Sequence, residues 1–407
     1  MLSFRYIARD PKTGQKIKAE IQADSEQAAA KILNDQGLAP LEIKLNESSA
    51  SGINKLIHRI KAKDRILFSR QLSTLINAGL PLIQSLRSVA KQTQNKPLQV
   101  VINQVIAEIE GGSSFSVSLS KHPDVFNRIY ISLIAAGETS GTLDAALARI
   151  ALQQEKDAEI LSKVRGALVY PAIVLVVMFG VMGFMITRVL PQVEVLYEGL
   201  PGNNTLPLVT RILLVISHFV IDRWWVVIIG LVLFMFFTGR WAKTDSGRKF
   251  FDTIKMRAWP VGPLFMKVYM ARFSRTGTTL VASGVPLIQM LEITADAIDN
   301  VHIEASINKA ISKVKGGTAL SDSIQGDPNF LDLVPDMLRI GEQSGALQDM
   351  MAKTADYFEK EVDNQIKTVS TIIEPLLMVV LGVFAFIVVA AVLLPIYGLA
   401  GKSGFGG

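Results

Sequence analysis

The residues that could carry chemistry in this 407-residue chain are few. Gly401-Lys402-Ser403 has the residue types that close a phosphate-cradling glycine loop, where backbone N–H groups and the lysine hold the anion. That loop needs a glycine six residues before its lysine, and the position holds Ile396. The triplet also follows an apolar run rather than a strand, so nucleotide binding is not expected. His58, His122, His218 and His302 are scattered, without the spacing of a metal set. The chain has no cysteine, which excludes disulfides, thiolate metal sites and cysteine nucleophiles. No serine sits in a nucleophile elbow. The expectation is a non-enzyme with no catalytic residue, metal or cofactor.

What remains is two carboxylates in matching settings and two prolines in matching settings. Gly137-Glu138-Thr139-Ser140-Gly141 and Gly341-Glu342-Gln343-Ser344-Gly345 are the strongest local signals. One reading is structural: the first glycine stops a helix, the serine caps the next, and glycine allows close backbone approach. The other is functional: Glu138 and Glu342 face a partner's Arg or Lys, or a cation with Asp144 nearby. Both can hold, since a rigid turn is a good place to present a charge. Tyr170-Pro171 and Glu374-Pro375 stand where polar sequence gives way to apolar runs. Proline there is either an ordinary residue of a first turn or a bend that frees a carbonyl and passes motion into the membrane. Glu374 beside a bilayer is costly unless hydrated or paired, which makes it a candidate contact for a cationic partner group.

The elements that must position these residues come in two copies. Phe68 to Leu119 matches the stretch beginning Phe273-Ser274-Arg275 at an offset of 205, with 20 identities in 52 positions. Gly79 and Pro81 recur as Gly284 and Pro286. One residue is then lost: Gly137 matches Gly341, Pro171 matches Pro375 and Pro191 matches Pro395 at 204. This is an internal duplication. Each copy has a polar helical part followed by a long apolar run.

Composition agrees with membrane segments. The chain is 49% hydrophobic and 19% charged, which is apolar for a soluble protein of this size. A net charge of +6 with no basic block interleaved with aromatics argues against nucleic acid and suits Lys and Arg near anionic lipid. The N-terminus lacks an apolar signal core and is expected to stay in the cytoplasm.

In order, residues 1–45 read as a small α/β unit: two alternating strands around Asp10-Pro11-Lys12-Thr13-Gly14, a helix capped by Asp24-Ser25 and ended by Gly37, and a return strand. Residues 46–63 read as a linker. Residues 64–165 read as a bundle of about six short helices, with Gly79 and Gly137 as stops and Pro81 in a first turn. Residues 166–190 form a first span, 191–211 a short periplasmic loop, and 212–238 the region of a second span, placed at Val220 to Thr238 behind Trp224-Trp225. Residues 239–371 repeat the bundle, 372–400 form a third span and 401–407 a periplasmic tail. From Gly239 to Arg275 there are nine Lys or Arg, and from Pro191 to Thr210 none. The positive-inside rule then places the N-terminus and both bundles in the cytoplasm and the C-terminus in the periplasm. The fold expected is mainly α: a polytopic membrane protein with two homologous cytoplasmic helical bundles, three transmembrane helices and a small N-terminal α/β unit.

Duplicated helical domains, each with Gly-x-Pro-Leu near its start, Gly-Glu-x-Ser-Gly near its end and a proline at span entry, resemble the F family of type II secretion. That family includes the inner-membrane platform proteins of type IV pilus machines. Phe4-x-Tyr6-x-Ala8, Gly14 and Gly37-Leu38-x-Pro40 resemble its N-terminal unit. The resemblance covers essentially the whole chain. It implies a platform that binds a cytoplasmic hexameric assembly ATPase, contacts pilin or pseudopilin subunits and other inner-membrane assembly proteins, and works as a homo-oligomer. Between branches, the compact N-terminal unit is similar to a type IV pilus platform of the mannose-sensitive haemagglutinin kind, with type II secretion as the alternative. A polytopic transporter is a distant alternative, because the first and third spans have no polar residue at mid-depth.

Overall fold

A computed structural model describes residues 2–9, 16–23, 26–35, 37–45, 60–198 and 208–403. The expected turn at residues 10–14, the Asp24-Ser25 cap, the linker through residue 59 and residues 199–207 of the loop lie outside the described residues.

The N-terminal unit is a three-stranded antiparallel sheet with one helix. Strand β1 (Leu2–Arg9) lies between β2 (Lys16–Ala23) and β3 (Ala39–Leu45), and α1 (Glu26–Asp35) precedes β3. Alternation in β1 sends Tyr6 and Ala8 to the same side, where they pack with Leu33 of α1 and with Leu38. Gly37 ends α1 with φ +77°, a conformation that glycine adopts without steric cost.

The first repeat follows as α2 (Ala62–Asn77), α3 (Leu82–Gln92), α4 (Lys96–Glu110), α5 (Phe115–Ser120), α6 (Arg128–Ser140) and α7 (Leu143–Phe184). A π-helical turn (Met185–Val189) leads into α8 (Leu190–Glu198), and then come α9 (Leu208–Asp222), α10 (Trp224–Trp241) and α11 (Asp245–Arg257). The second repeat is α12 (Gly262–Ala282), α13 (Leu287–Ile298), α14 (Val301–Lys315), α15 (Leu320–Ile324), α16 (Leu333–Ser344) and α17 (Leu347–Ser403). The repeats use the same aromatic contact. The ring centroids of Phe68 and Phe126 are 5.8 Å apart, and those of their counterparts Phe273 and Phe330 are 5.2 Å apart.

Three boundaries differ from expectation. Helix α6 passes through Gly137 and stops at Gly141, where φ is +72°. The last helix of each bundle is also the span: α7 runs 42 residues through Pro171, and α17 runs 57 residues through Pro375. The switch from amphipathic to uniformly apolar sequence changes the surroundings of the helix without ending its hydrogen-bond ladder. Finally, a backbone break at Arg223 (φ −125°, ψ 32°) starts the middle apolar helix at Trp224, and it continues to Trp241.

Three helices are long and apolar enough to cross a membrane, within Leu143–Gln192, Trp224–Trp241 and Leu347–Ala390. Their side chains are largely unburied, Val176 being 70% exposed, Phe234 68% and Phe386 73%. Continuous apolar surface of that extent belongs against lipid rather than water.

Candidate functional site

The two Gly-Glu-x-Ser-Gly segments have the same geometry. In the first, the Glu138 carboxylate accepts from Phe115 N (2.5 Å), Ser116 N (3.0 Å) and the Ser116 hydroxyl. In the second, Glu342 accepts from Leu320 N (2.6 Å), Ser321 N (3.2 Å) and Ser321 Oγ (2.5 Å). These N–H groups open the short helices α5 and α15, whose first-turn donors have no intrahelical acceptor. The carboxylate satisfies them and meets the positive end of the helix. Each glutamate therefore ties the penultimate helix of its bundle to the short helix 20-odd residues upstream, and its charge is engaged inside the bundle.

The glycines divide the work. A Cβ on Gly137 would lie 2.7 Å from Ala146 Cβ and 3.2 Å from Leu143 Cα, and one on Gly341 would lie 2.9 Å from Leu347 Cα. The first glycine of each motif thus lets α6 touch α7, and α16 touch α17. The second, Gly141 or Gly345, takes φ of +72° or +70° and reverses the chain. Ser140 Oγ bonds back to Ala136 O (2.8 Å) and Ser344 Oγ to Ile340 O (2.6 Å). Thr139, Ser140 and Gly141, like Gln343, Ser344 and Gly345, are exposed at the rim. Gly79 and Gly284 make the earlier turns, with φ +84° and +78°, ahead of Pro81 and Pro286. Tyr170 (58% exposed) and Glu374 lie on the surfaces of α7 and α17, beside Pro171 and Pro375. Among the described residues, no three His, Asp or Glu side chains come together as a metal set.

Sequence reasoning missed a second matched device. Arg70 Nε donates to Glu155 Oε1 at 2.7 Å, and its counterpart Arg275 Nε donates to Glu359 Oε1 at 2.7 Å, with Arg275 Nη2 on Asp356 Oδ1 at 2.5 Å. The pairs join the first helix of each bundle to the last. The signal was available, since both Arg and both Glu recur at the repeat offsets, but nothing local links residues 84 or 85 positions apart.

Sequence reasoning also could not see that the two repeats pack on one another. Helices α6 and α7 of the first lie against α12, α13 and α17 of the second. Arg128 pairs with Asp296. Arg149 Nη1 donates to Ser283 Oγ (3.0 Å), Thr279 Oγ1 to Gln153 Oε1 (3.2 Å), and Lys163 Nζ contacts Asp363 at 2.8 Å. Ile160 and Val164 pack against Leu264, Val268 and Val362. Asp157 belongs to this seam: burial pushes its carboxyl pKa up, while the positive charge of Arg272 pulls the other way.

The type II secretion system protein F domain matches residues 68–191 and again 273–395, and the N-terminal domain of the same protein matches residues 1–44. The type IV pilus assembly protein PilC of Thermus thermophilus is 37% identical over 407 residues, covering 98% of each chain. TapC of Aeromonas hydrophila, also named a type IV pilus assembly protein, is 34% identical over 99% of this chain and 97% of its own. The type II secretion system protein F of Pseudomonas aeruginosa is 33% identical over 98% of this chain and 99% of its own. With both repeats and the N-terminal unit matched, the chain belongs to the type II secretion system protein F family.

Proposed function

We propose that this chain is the inner-membrane platform of a type IV pilus assembly machine, coupling a cytoplasmic assembly ATPase to the insertion or extraction of pilin subunits. The observation that carries the reading is the pair of helices that leave each bundle and enter the membrane without a break. At 1.5 Å rise per residue, α17 with its 57 residues is a rod about 85 Å long. A displacement applied to the bundle end reaches the membrane end with little loss, because each bundle is tied across by its Arg–Glu pair and its glutamate latch. The chain has no complete phosphate loop of its own at Gly401-Lys402-Ser403, so the work is supplied by a partner, the hexameric ATPase.

In this reading residues 64–165 and 239–371 are the cytoplasmic bundles, the N-terminus is cytoplasmic and the C-terminal tail periplasmic. The nine Lys and Arg between Gly239 and Arg275 support that direction. The rim residues Thr139–Gly141 and Gln343–Gly345 are partner-facing edges presented by Glu138 and Glu342. Tyr170-Pro171 and Glu374-Pro375 mark membrane entry, in contact with lipid headgroups and other inner-membrane assembly proteins. Nucleic acid has no place in the scheme. The type II secretion reading is favoured by the protein F relatives of Pseudomonas and Aeromonas and assigns pseudopilin in place of pilin.

The cysteine-free chain makes the test clean. A cysteine at Thr139 or at Gln343, carrying a photocrosslinker in cells, is expected to capture the assembly ATPase or a pilin-like subunit. Capture of neither, with pilus assembly and protein secretion both intact after deletion of the chain, would overturn the platform reading. Loss of exoprotein secretion with pili intact would select the type II branch.

A further inference from the structure

The seam between the repeats is heterologous. It joins α6 and α7 of the first repeat to α12, α13 and α17 of the second. Helix α6 and helices α12 and α13 are not counterparts, and α7 and α17, which are, meet through different faces: Lys156 and Lys163 on α7 face Glu359 and Asp363 on α17, whereas the counterparts of those two lysines are Lys360 and Lys367. Each repeat therefore has one face used and the counterpart of its neighbour's face unused. Gln153 is 4% exposed in the seam, and its counterpart Tyr357 is 49% exposed. Thr279 is 8% exposed, whereas its counterpart Thr74 is exposed on α2. Two aliphatic side chains at counterpart positions also stand out in the open, Ile340 (51%) for Ala136 and Leu67 (53%) for Arg272. Large exposed apolar groups outside the spans, grouped on two faces that are the missing halves of an observed contact, mark an unfilled interface.

The charges repeat the argument. Arg128 pairs with Asp296 in the seam, and the aligned positions hold Asp332 and Lys91, the same pair with the signs exchanged. Both are exposed. The duplication tolerates such exchange elsewhere: Arg87 pairs with Glu110 in the first repeat, and their counterparts Glu292 and Lys315 pair at 3.1 Å in the second. Direction fits as well. Lys156 meets Glu359 and Lys163 meets Asp363, so α7 and α17 run parallel through the seam. Repeating a contact between parallel helices that continue into spans keeps every copy upright in one bilayer.

We propose that the occupant of these faces is a second copy of this chain: the α16/α17 face of one copy docks on the α2/α3 face of the next, reproducing the internal seam between molecules. Tyr357 takes the place of Gln153 opposite Thr74, Ile340 meets the α2 stripe that begins at Leu67, and Asp332 meets Lys91. Heterologous contacts either close into rings or continue, and here each chain supplies one built-in contact and two half-contacts. The inference deepens the platform reading by naming the contact between copies, but its test reads the contact itself and not pilus assembly.

Two full-length single-cysteine chains, Thr74→Cys and differently tagged Tyr357→Cys, are co-expressed in membranes and treated with a short bis-maleimide. A chain carrying both Gln153→Cys and Thr279→Cys sets the yield expected of the internal seam. The mixed-tag dimer should form at comparable yield, and neither single variant should link to itself. Lys91→Glu or Asp332→Lys alone should lower that yield about five-fold, the size of an exposed ion pair turned into a repulsion, and the two together should restore it. Absence of the mixed dimer while the Gln153/Thr279 chain cross-links would overturn the proposal. So would self-linking of Thr74→Cys with itself, which requires a symmetric face-to-face contact. Either result leaves the ATPase-capture experiment standing.

Discussion

Replacing Glu342 with alanine removes the carboxylate that accepts from the first turn of α15. Two backbone N–H groups and one hydroxyl lose their acceptor, at 2.6, 3.2 and 2.5 Å. The donors cannot all turn to water, because Leu320 is fully buried and Ser321 1% exposed. A hydrogen bond to a charged group is worth about 1.5–3 kcal/mol, and losing a helix N-terminal acceptor costs about 0.5–2 kcal/mol. The donors share one carboxylate, so these figures overlap, and about 2–3 kcal/mol is expected for the substitution. Read as local opening, that is about a 30- to 150-fold rise in exchange of the Leu320 and Ser321 amides. Hydrogen exchange followed by mass spectrometry on the full chain in detergent measures it over residues 319–325. Glu342→Gln keeps one acceptor oxygen but not the charge, and should raise exchange only about five-fold, for about 1 kcal/mol. The first-repeat segment held by Glu138 serves as an internal control and should not change. Unaltered exchange at 319–325 in Glu342→Ala would refute the latch and return the carboxylate to the role of a free surface charge.

Three further outcomes follow from the same geometry, each read by thermal unfolding of the full chain in detergent. Gly341→Ala should cost about 1–3 kcal/mol, because its Cβ would press on Leu347 Cα at 2.9 Å, whereas Gly79→Ala meets open space and carries only the strain of φ +84°, about 1 kcal/mol. Equal losses would show that helix contact is not what Gly341 provides. Arg275→Lys should destabilise by about 1–2 kcal/mol, since an ammonium cannot span Glu359 and Asp356 from a site only 17% exposed. Arg70→Lys, at 48% exposure, should fall below about 1 kcal/mol. Asp157 has a folded pKa raised by burial above the ordinary aspartate value of 3.8, so the folded state holds the extra proton between that value and its own raised pKa. Stability then falls as pH rises through that window. Asp157→Asn should flatten this fall and raise stability above it; a steeper fall would mean that Arg272 and Arg275 outweigh burial.

Much of the architecture was legible because it is written locally. The duplication, the six-helix plan and the three apolar helices follow from glycine and proline punctuation and from unbroken apolar runs. What was not legible depends on through-space partners. Glu138 and Glu342 read as charges for a partner or a cation, because their donors are backbone amides 21 to 23 residues upstream, and a backbone N–H has no side-chain signature. Gly137 reads as a helix stop from sequence, yet the approach of Ala146 claims it for packing, and it is Gly141 that takes a left-handed φ and makes the turn. The continuity of α7 and α17 across the bundle–span boundaries has a related cause. Composition changes near Gly166, but a helix has no cause to end where only its solvent changes.

The duplication also separates what holds the bundle from what the bundle presents. The glutamate latches, the Arg–Glu ties and the positive-φ glycines Gly79/Gly284, Gly112/Gly317 and Gly141/Gly345 are the same residue types in both copies, and each ties or turns elements of its own repeat. The seam residues are not: Gln153 faces Tyr357 across the alignment, and Arg128 faces Asp332. If the second repeat's face were merely unused, polar replacements would suit it best, as at Lys353. Instead it carries a tyrosine about half exposed where the first repeat makes contact through Gln153, and an isoleucine about half exposed on α16, the counterpart of α6. The residues the copies share describe a rigid helical module. The residues in which they differ describe where each module meets something else, first within the chain and then outside it.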